Sequence, residues 1–190
     1  MKHAVVTAVV AALLPIAASA QAPASAKDPM ATWLRGAYRT NRNYLARTIE
    51  KVPDDLLSVR PGAQTDVRTF GAIVGHVANF NFLWCSQAKG EPNPNQNDFE
   101  KATSKAALVK GLNDALTYCD GAYAALTDAS GLESLTITQE NGRQTQSLRM
   151  SLLTLNYGHN NEHYGNLVTL FRLNKMVPPS TEASMSMQKK

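Results

Sequence analysis

Apolar residues recur every three or four positions in four long stretches of the chain, the spacing of helices that bury one face. In the first, from about Met30 to Lys51, Leu34, Tyr38, Leu45, Ile49 and Val52 form the stripe, and Pro53 ends it. Asn41 interrupts that stripe, either as a polar residue at the helix edge or facing an internal cavity. In the second, Thr69 stands where an N-cap belongs, and Phe70, Ile73, Val77, Phe80 and Trp84 give a wide apolar face that stops near Lys89 and Gly90. The large aromatics of this stretch are expected in the core, with a pocket wall as the other reading. A polar loop with Pro92 and Pro94 follows. The third stretch, Thr103 to Thr127, carries Leu108, Leu112, Leu116, Cys119, Tyr123 and Leu126, and Gly131 breaks the pattern.

The segment from Leu132 to Ser147 differs. Leu135 and Ile137 precede Glu140-Asn141-Gly142-Arg143, and Asn-Gly is a strong turn signal. A small hairpin is predicted here, and it needs the helices for support because two strands alone are marginal. Ser147 is placed to cap the fourth helix, which runs to about Leu173 before Pro178 and Pro179. No repeat or second domain is evident. The expected architecture is all-α, a four-helix bundle over residues 30–176 with a small hairpin between helices 3 and 4. The polar residues 177–190 are predicted to be a disordered tail.

The fourth helix holds the chemistry. Its stripe runs Leu148, Leu152, Leu155, His159, His163, Leu167, Leu170, so two histidines stand where the pattern calls for leucine. At i,i+4 both imidazoles lie on one face, within reach of one ion. Buried imidazoles are costly without partners. His76, in the second helix, also replaces an apolar residue between Ile73 and Phe80. Three histidines at core-facing positions point to a metal site with an open coordination position, the catalytic rather than the closed structural arrangement. Imidazoles suit zinc, nickel, iron(II) or copper and do not choose among them. Each histidine read alone is equally well a hydrogen-bonded core residue. Glu162 lies three residues after His159 and is a speculative catalytic base, or a plain helix glutamate. Position 160 is Asn, so the zinc-protease motif H-E-x-x-H is absent. Asn79, Asn160 and Asn166 are candidates to orient the histidines, and Tyr157 and Tyr164 to offer a phenolic donor.

The segments RTFGAIVGHVANFNFLWCS and HNNEHYGNLVTLFRLNKMVPPS resemble the DinB (damage-inducible) superfamily, over roughly Trp33 to Pro179. The most specific features are one His on the second helix and an H-x3-H pair on the last, followed by Gly-Asn-Leu-Val and Arg172. The resemblance implies a four-helix bundle and a divalent metal held by three histidines, here His76, His159 and His163. It also implies, for some relatives, thiol-dependent transferase or isomerase activity.

Residues 1–20 carry a short polar start, an apolar run and Ala18-Ser19-Ala20, the pattern of a cleaved secretory signal peptide. Residues 21–29, rich in Ala, Pro and Ser, are expected to be a flexible linker. These features predict a periplasmic or secreted protein with no stable membrane span after cleavage. Loss of Lys2 takes the net charge from +4 to +3, and the charges are scattered singly. Arg35, Arg39, Arg42 and Arg47 read as a solvated face, so no nucleic-acid partner is expected. Export permits a Cys85–Cys119 disulfide, although Cys119 on a core stripe is equally a small free hydrophobe, and geometry decides between them. Function then reads as an exported metal-dependent hydrolase or transferase acting on a small molecule. The alternative is a non-catalytic metal-binding or stress-response bundle. A homodimer through a helix face is allowed by either.

Overall fold

A computed structural model describes residues 27–139 and 141–189. The expected signal peptide (1–20) and most of the linker (21–29) lie outside them. The elements are α1 (Pro29–Lys51), α2 (Phe70–Lys89), α3 (Lys105–Ala124), the single turn α4 (Asp128–Gly131), β1 (Ser134–Thr138), β2 (Gln144–Leu148), α5 (Arg149–Leu173) and α6 (Pro179–Met187). Short 3-10 turns at Asp54–Leu56 and Phe99–Lys101 interrupt the loops. The four long helices form the bundle. α1 and α2 sit diagonally, each flanked by α3 and α5, so the loop between them crosses one end.

Local chemistry sets the helix ends. The Thr69 side chain accepts a hydrogen bond from the Ala72 N–H, as predicted, and Ser104 does the same for Ala107. The expected third helix to Thr127 breaks in two. α3 stops at Ala124, and Thr127 then starts α4 in a reciprocal capping box with Ser130. The predicted hairpin forms, with Leu135 opposite Ser147 and Ile137 opposite Thr145 on the face toward the helices. Gly142 takes the left-handed conformation (φ 79°) that the turn needs. Ser147 therefore belongs to β2, and Leu148 precedes α5 without a side-chain cap.

The core divides into two clusters. One gathers Leu45, Ile49, Val74, Leu112, Leu116 and Phe171. The other gathers Leu34, Tyr38, Leu126 and Leu153 around a Cys85–Cys119 disulfide. The Cα atoms of that pair are 5.3 Å apart, well within disulfide reach. The bridge ties α2 to α3 and is worth about 3–4 kcal/mol for a loop of this length in the chain-entropy account. Tyr38 and Tyr123 stack beside it with centroids 3.7 Å apart.

Two expectations change. Residues 177–190 were predicted to be disordered, yet Pro179–Met187 is helical. Pro179 starts α6 with its φ preset. The Tyr164 hydroxyl accepts the Ser180 N–H, and Glu182 pairs with Arg47 and Lys51 of α1. The buried face of α5 is also turned from the predicted stripe. Leu155 is 56% exposed, whereas Asn156 and Asn160 are fully buried. Polar residues stand in the core because Asn81 on α2 meets their amides, so the apolar count alone misplaces the face. Among the α1 arginines, Arg35 caps the Leu126 carbonyl and Arg42 pairs with Asp120, so that face is partly bonded as well as solvated.

Candidate metal centre

Antiparallel packing of α2 and α5 brings His76 opposite His159 and His163. Their ligand nitrogens all lie within 4.8 Å of one another. Nε2 of His159 is 3.0 Å from Nε2 of His76 and 3.0 Å from Nε2 of His163. Two nitrogens each ~2.0–2.1 Å from one ion, at 90–109°, sit ~2.9–3.4 Å apart, so the observed spacing fits a shared ion. Hydrogen bonding does not account for it. One imidazole nitrogen offers either one proton or one lone pair, so Nε2 of His159 satisfies only one of its two neighbours. Its Nδ1 is buried and has no partner among the described residues. Three ligand nitrogens gathered this closely could hold one cation.

The electrostatics agree. Burial first, then the neighbouring His163 and His76, push the His159 pKa down to about 3. Burial and His76 also lower that of His163, against the raising influence of Glu162. Both rings are therefore neutral at neutral pH, the form that ligates a metal.

A residue that the sequence reading missed completes the site. Glu100 accepts a hydrogen bond from Nδ1 of His76, the carboxylate–histidine pairing that orients a metal-ligating ring. Glu100 also binds Arg68 at 2.9 Å. Burial alone would raise its pKa, but the hydrogen bonds from Arg68 and His76 hold it below the usual carboxylate value. The approach depends on two glycines. A Cβ at Gly75 of α2 would overlap the Phe99 backbone, and one at Gly111 of α3 would overlap the Phe99 ring. Phe99 thus wedges between the helices and delivers its neighbour to His76. Asn79 assists, accepting the Phe99 N–H and donating to Asp98. The signal in sequence would have been Gly75 one residue before His76, but nothing local names the partner loop.

The other candidates separate. Asn166 lies 3.4 Å from Nδ1 of His163. Asn160 bonds Asn81 and does not touch the histidines. Tyr164 is committed to α6, and Tyr157 packs edge-on against Trp33. Asn41 is buried and donates to Asn161 on α5. Glu162 is exposed, on the wall of a cavity of about 360 Å³ that it shares with His163 and Arg68. It lies outside the three-histidine group. Phe80 and Trp84, expected in the core with a pocket wall as the other reading, are half-buried and line a cavity, and they present rings to His159 at 5.0 and 4.7 Å between centroids.

A mostly helical bundle with three histidines converging from its second and last long helices defines the class. The DinB superfamily model matches residues 37–167, and the chain belongs to that superfamily. No curated protein matches it. Among solved structures, a DinB-like protein from Bacillus cereus superposes with a TM-score of 0.62 at 17% identity, over 77% of this chain and 93% of that one. A DinB-like protein from Bacillus subtilis gives 0.58 at 19% identity, over 77% and 96%. A mycothiol-dependent maleylpyruvate isomerase gives 0.50 at 13% identity, over 74% of this chain and 60% of that one. At these identities the likeness concerns the fold.

Proposed function

We propose that this protein binds one divalent transition metal through His76, His159 and His163 and uses it in hydrolysis or thiol transfer on a small molecule. The observation that carries the reading is the convergence of three Nε2 lone pairs that hydrogen bonding cannot satisfy together. When bound, a divalent ion there supplies Lewis acidity toward an oxygen or sulfur donor. Zinc, nickel and iron(II) all suit the donor set.

The chain's own residues do the rest. Glu100 holds the Nδ1 proton of His76 and so presents the opposite nitrogen to the site. Burial keeps His159 and His163 unprotonated. Glu162, on the cavity wall beside His163, is placed to take up a proton from a molecule bound there. Thiol chemistry enters because a mycothiol-dependent isomerase shares the fold. Export to the periplasm or beyond belongs to the same proposal. It rests on the leader-like residues 1–20, and the Cys85–Cys119 disulfide supports it, since such bridges persist in oxidising compartments. Among the described residues, no helix is long and apolar enough to cross a membrane.

Elemental analysis tests the reading, on protein purified without a histidine tag or added metal. About one equivalent of a transition metal is expected, lost in His76→Ala and in His159→Ala while the helical circular dichroism stays unchanged. A metal-free protein that takes up no zinc, nickel or iron on titration overturns the proposal. Stoichiometric metal with no turnover on ester and thiol panels selects the non-catalytic reading.

A further inference from the structure

The three histidines sit on the α2–α5 seam between two cavities that differ in chemistry. Beyond His163 lies the smaller cavity, with Asp66, Arg68 and Glu162 in its wall. Beyond His159 lies a cleft of about 700 Å³, walled by α2 and α5 and roofed by the hairpin. Its size suits a small organic molecule. No Asp, Glu, Lys, Arg or His is among the described residues that line it. The floor is apolar: Phe80, Leu83 and Trp84 from α2, and Leu152 and Leu155 from α5. The rim is made of neutral hydrogen-bonding groups, including Gln87, Gln139 and Asn141.

The cleft also explains Leu155. This leucine lies on the fourth helix's apolar stripe, yet it is 56% exposed because it faces the cleft instead of another helix. Two rings of its floor touch the three-histidine group. Phe80 packs on His76 and His159, and Trp84 packs on His159.

We infer that this cleft binds the non-reacting part of the substrate, and that this part is uncharged, carries an aromatic ring and bears an amide or similar neutral polar group. The ring lies on the Phe80, Trp84 and Leu155 floor, and the polar group meets the amide rim. A charged group in the same place would lose its hydration with no opposite charge among the described lining residues to replace it. The word substrate rests on the proposed metal-dependent activity, whereas the binding selectivity does not.

Three probes share one ring and differ in charge: N-acetylphenylalanine amide (neutral), N-acetylphenylalanine (anionic) and phenylalanine amide (cationic). Trp33→Phe leaves Trp84 as the single tryptophan, and each probe is titrated against its emission. The neutral probe is expected to bind at least ~10-fold more tightly than either charged one, the scale of a lost solvation contact. Leu155→Asp, at an exposed position, is expected to remove that binding while metal content stays unchanged. Equal binding of all three, no response of Trp84 to the neutral probe, or undiminished binding in Leu155→Asp overturns the inference. The two readings fail separately. Metal-loaded protein blind to the neutral probe sinks the cleft alone, and protein that takes up no zinc, nickel or iron on titration yet binds the probe selectively sinks the metal-dependent activity alone.

Discussion

α2 and α5 bury two sets of polar side chains side by side, and the two sets behave in opposite ways. In the asparagine set, Asn81 donates to the Val77 carbonyl and to Asn160. Its oxygen accepts from Asn156 at 3.0 Å and from Asn160 at 3.0 Å. Tyr123 closes the set from α3, with its hydroxyl 2.8 Å from the Asn156 oxygen. All three amides are fully buried and have partners. In the histidine set, two neighbours compete for one nitrogen of His159, and its other nitrogen has no partner among the described residues. The set is also open to a cavity at His163. A closed set of hydrogen bonds is a structural pin that fixes how two helices meet. A set left open at matched distances has valence to give to something else. Buried polarity alone does not mark a functional site, and the unsatisfied remainder does.

Breaking the closed set is expected to have the largest effect on folding. Asn81→Leu removes the hub and leaves Asn156 and Asn160 without it, at a cost of about 3 kcal/mol. Thermal unfolding would show a clear fall in Tm, while the surviving folded protein keeps its metal. His159→Ala should give the reverse pattern, lost metal with little lost stability before loading. If both variants lose stability alike, the two sets do not differ as claimed.

The orienting carboxylate sharpens the contrast at smaller scale. Glu100→Ala is expected to weaken metal affinity by about 10–100-fold, since it releases His76 without removing a ligand. Competition against a chromogenic chelator measures this directly, and affinity equal to wild type would remove Glu100 from the site.

The gentlest probe is pH. The folded-state pKa values of His159 and His163 are lowered, so between about pH 6.5 and 3 the unfolded chain binds more protons than the folded one. Their contribution is fully present above pH 6.5 and is lost as pH falls toward 3. The asparagine set does not titrate. Metal-free wild type should therefore lose Tm more steeply on acidification than metal-free His159→Asn. Parallel curves would show that the histidines do not carry the acid sensitivity.

Much of this was legible from the residues, and the reason lies in what local pattern encodes. Periods near 3.6 marked the four long helices because a helix has one buried face. Thr69 and Asn141-Gly142 marked a helix start and a turn because caps and turns use neighbouring atoms. The three histidines were legible as misfits in apolar stripes, and the structure brings those three together. What local pattern could not carry was any partnership across the chain. Glu100 reaches His76 over 24 residues, and only because Gly75 and Gly111 admit Phe99. Asn81 meets Asn156 over 75 residues, which turns the buried face of α5 and leaves Leu155 in a cleft. Cys85 and Cys119 are 34 residues apart, with nothing in the spacing to join them. The tail was misjudged for the same cause, because Glu182 finds Arg47 and Lys51 only after the bundle has formed. Sequence alone determined the four long helices and which residues could bind a metal, since both follow from nearby atoms. Tertiary structure alone decided which polar groups close on one another and which stay open, since that depends on where distant helices meet.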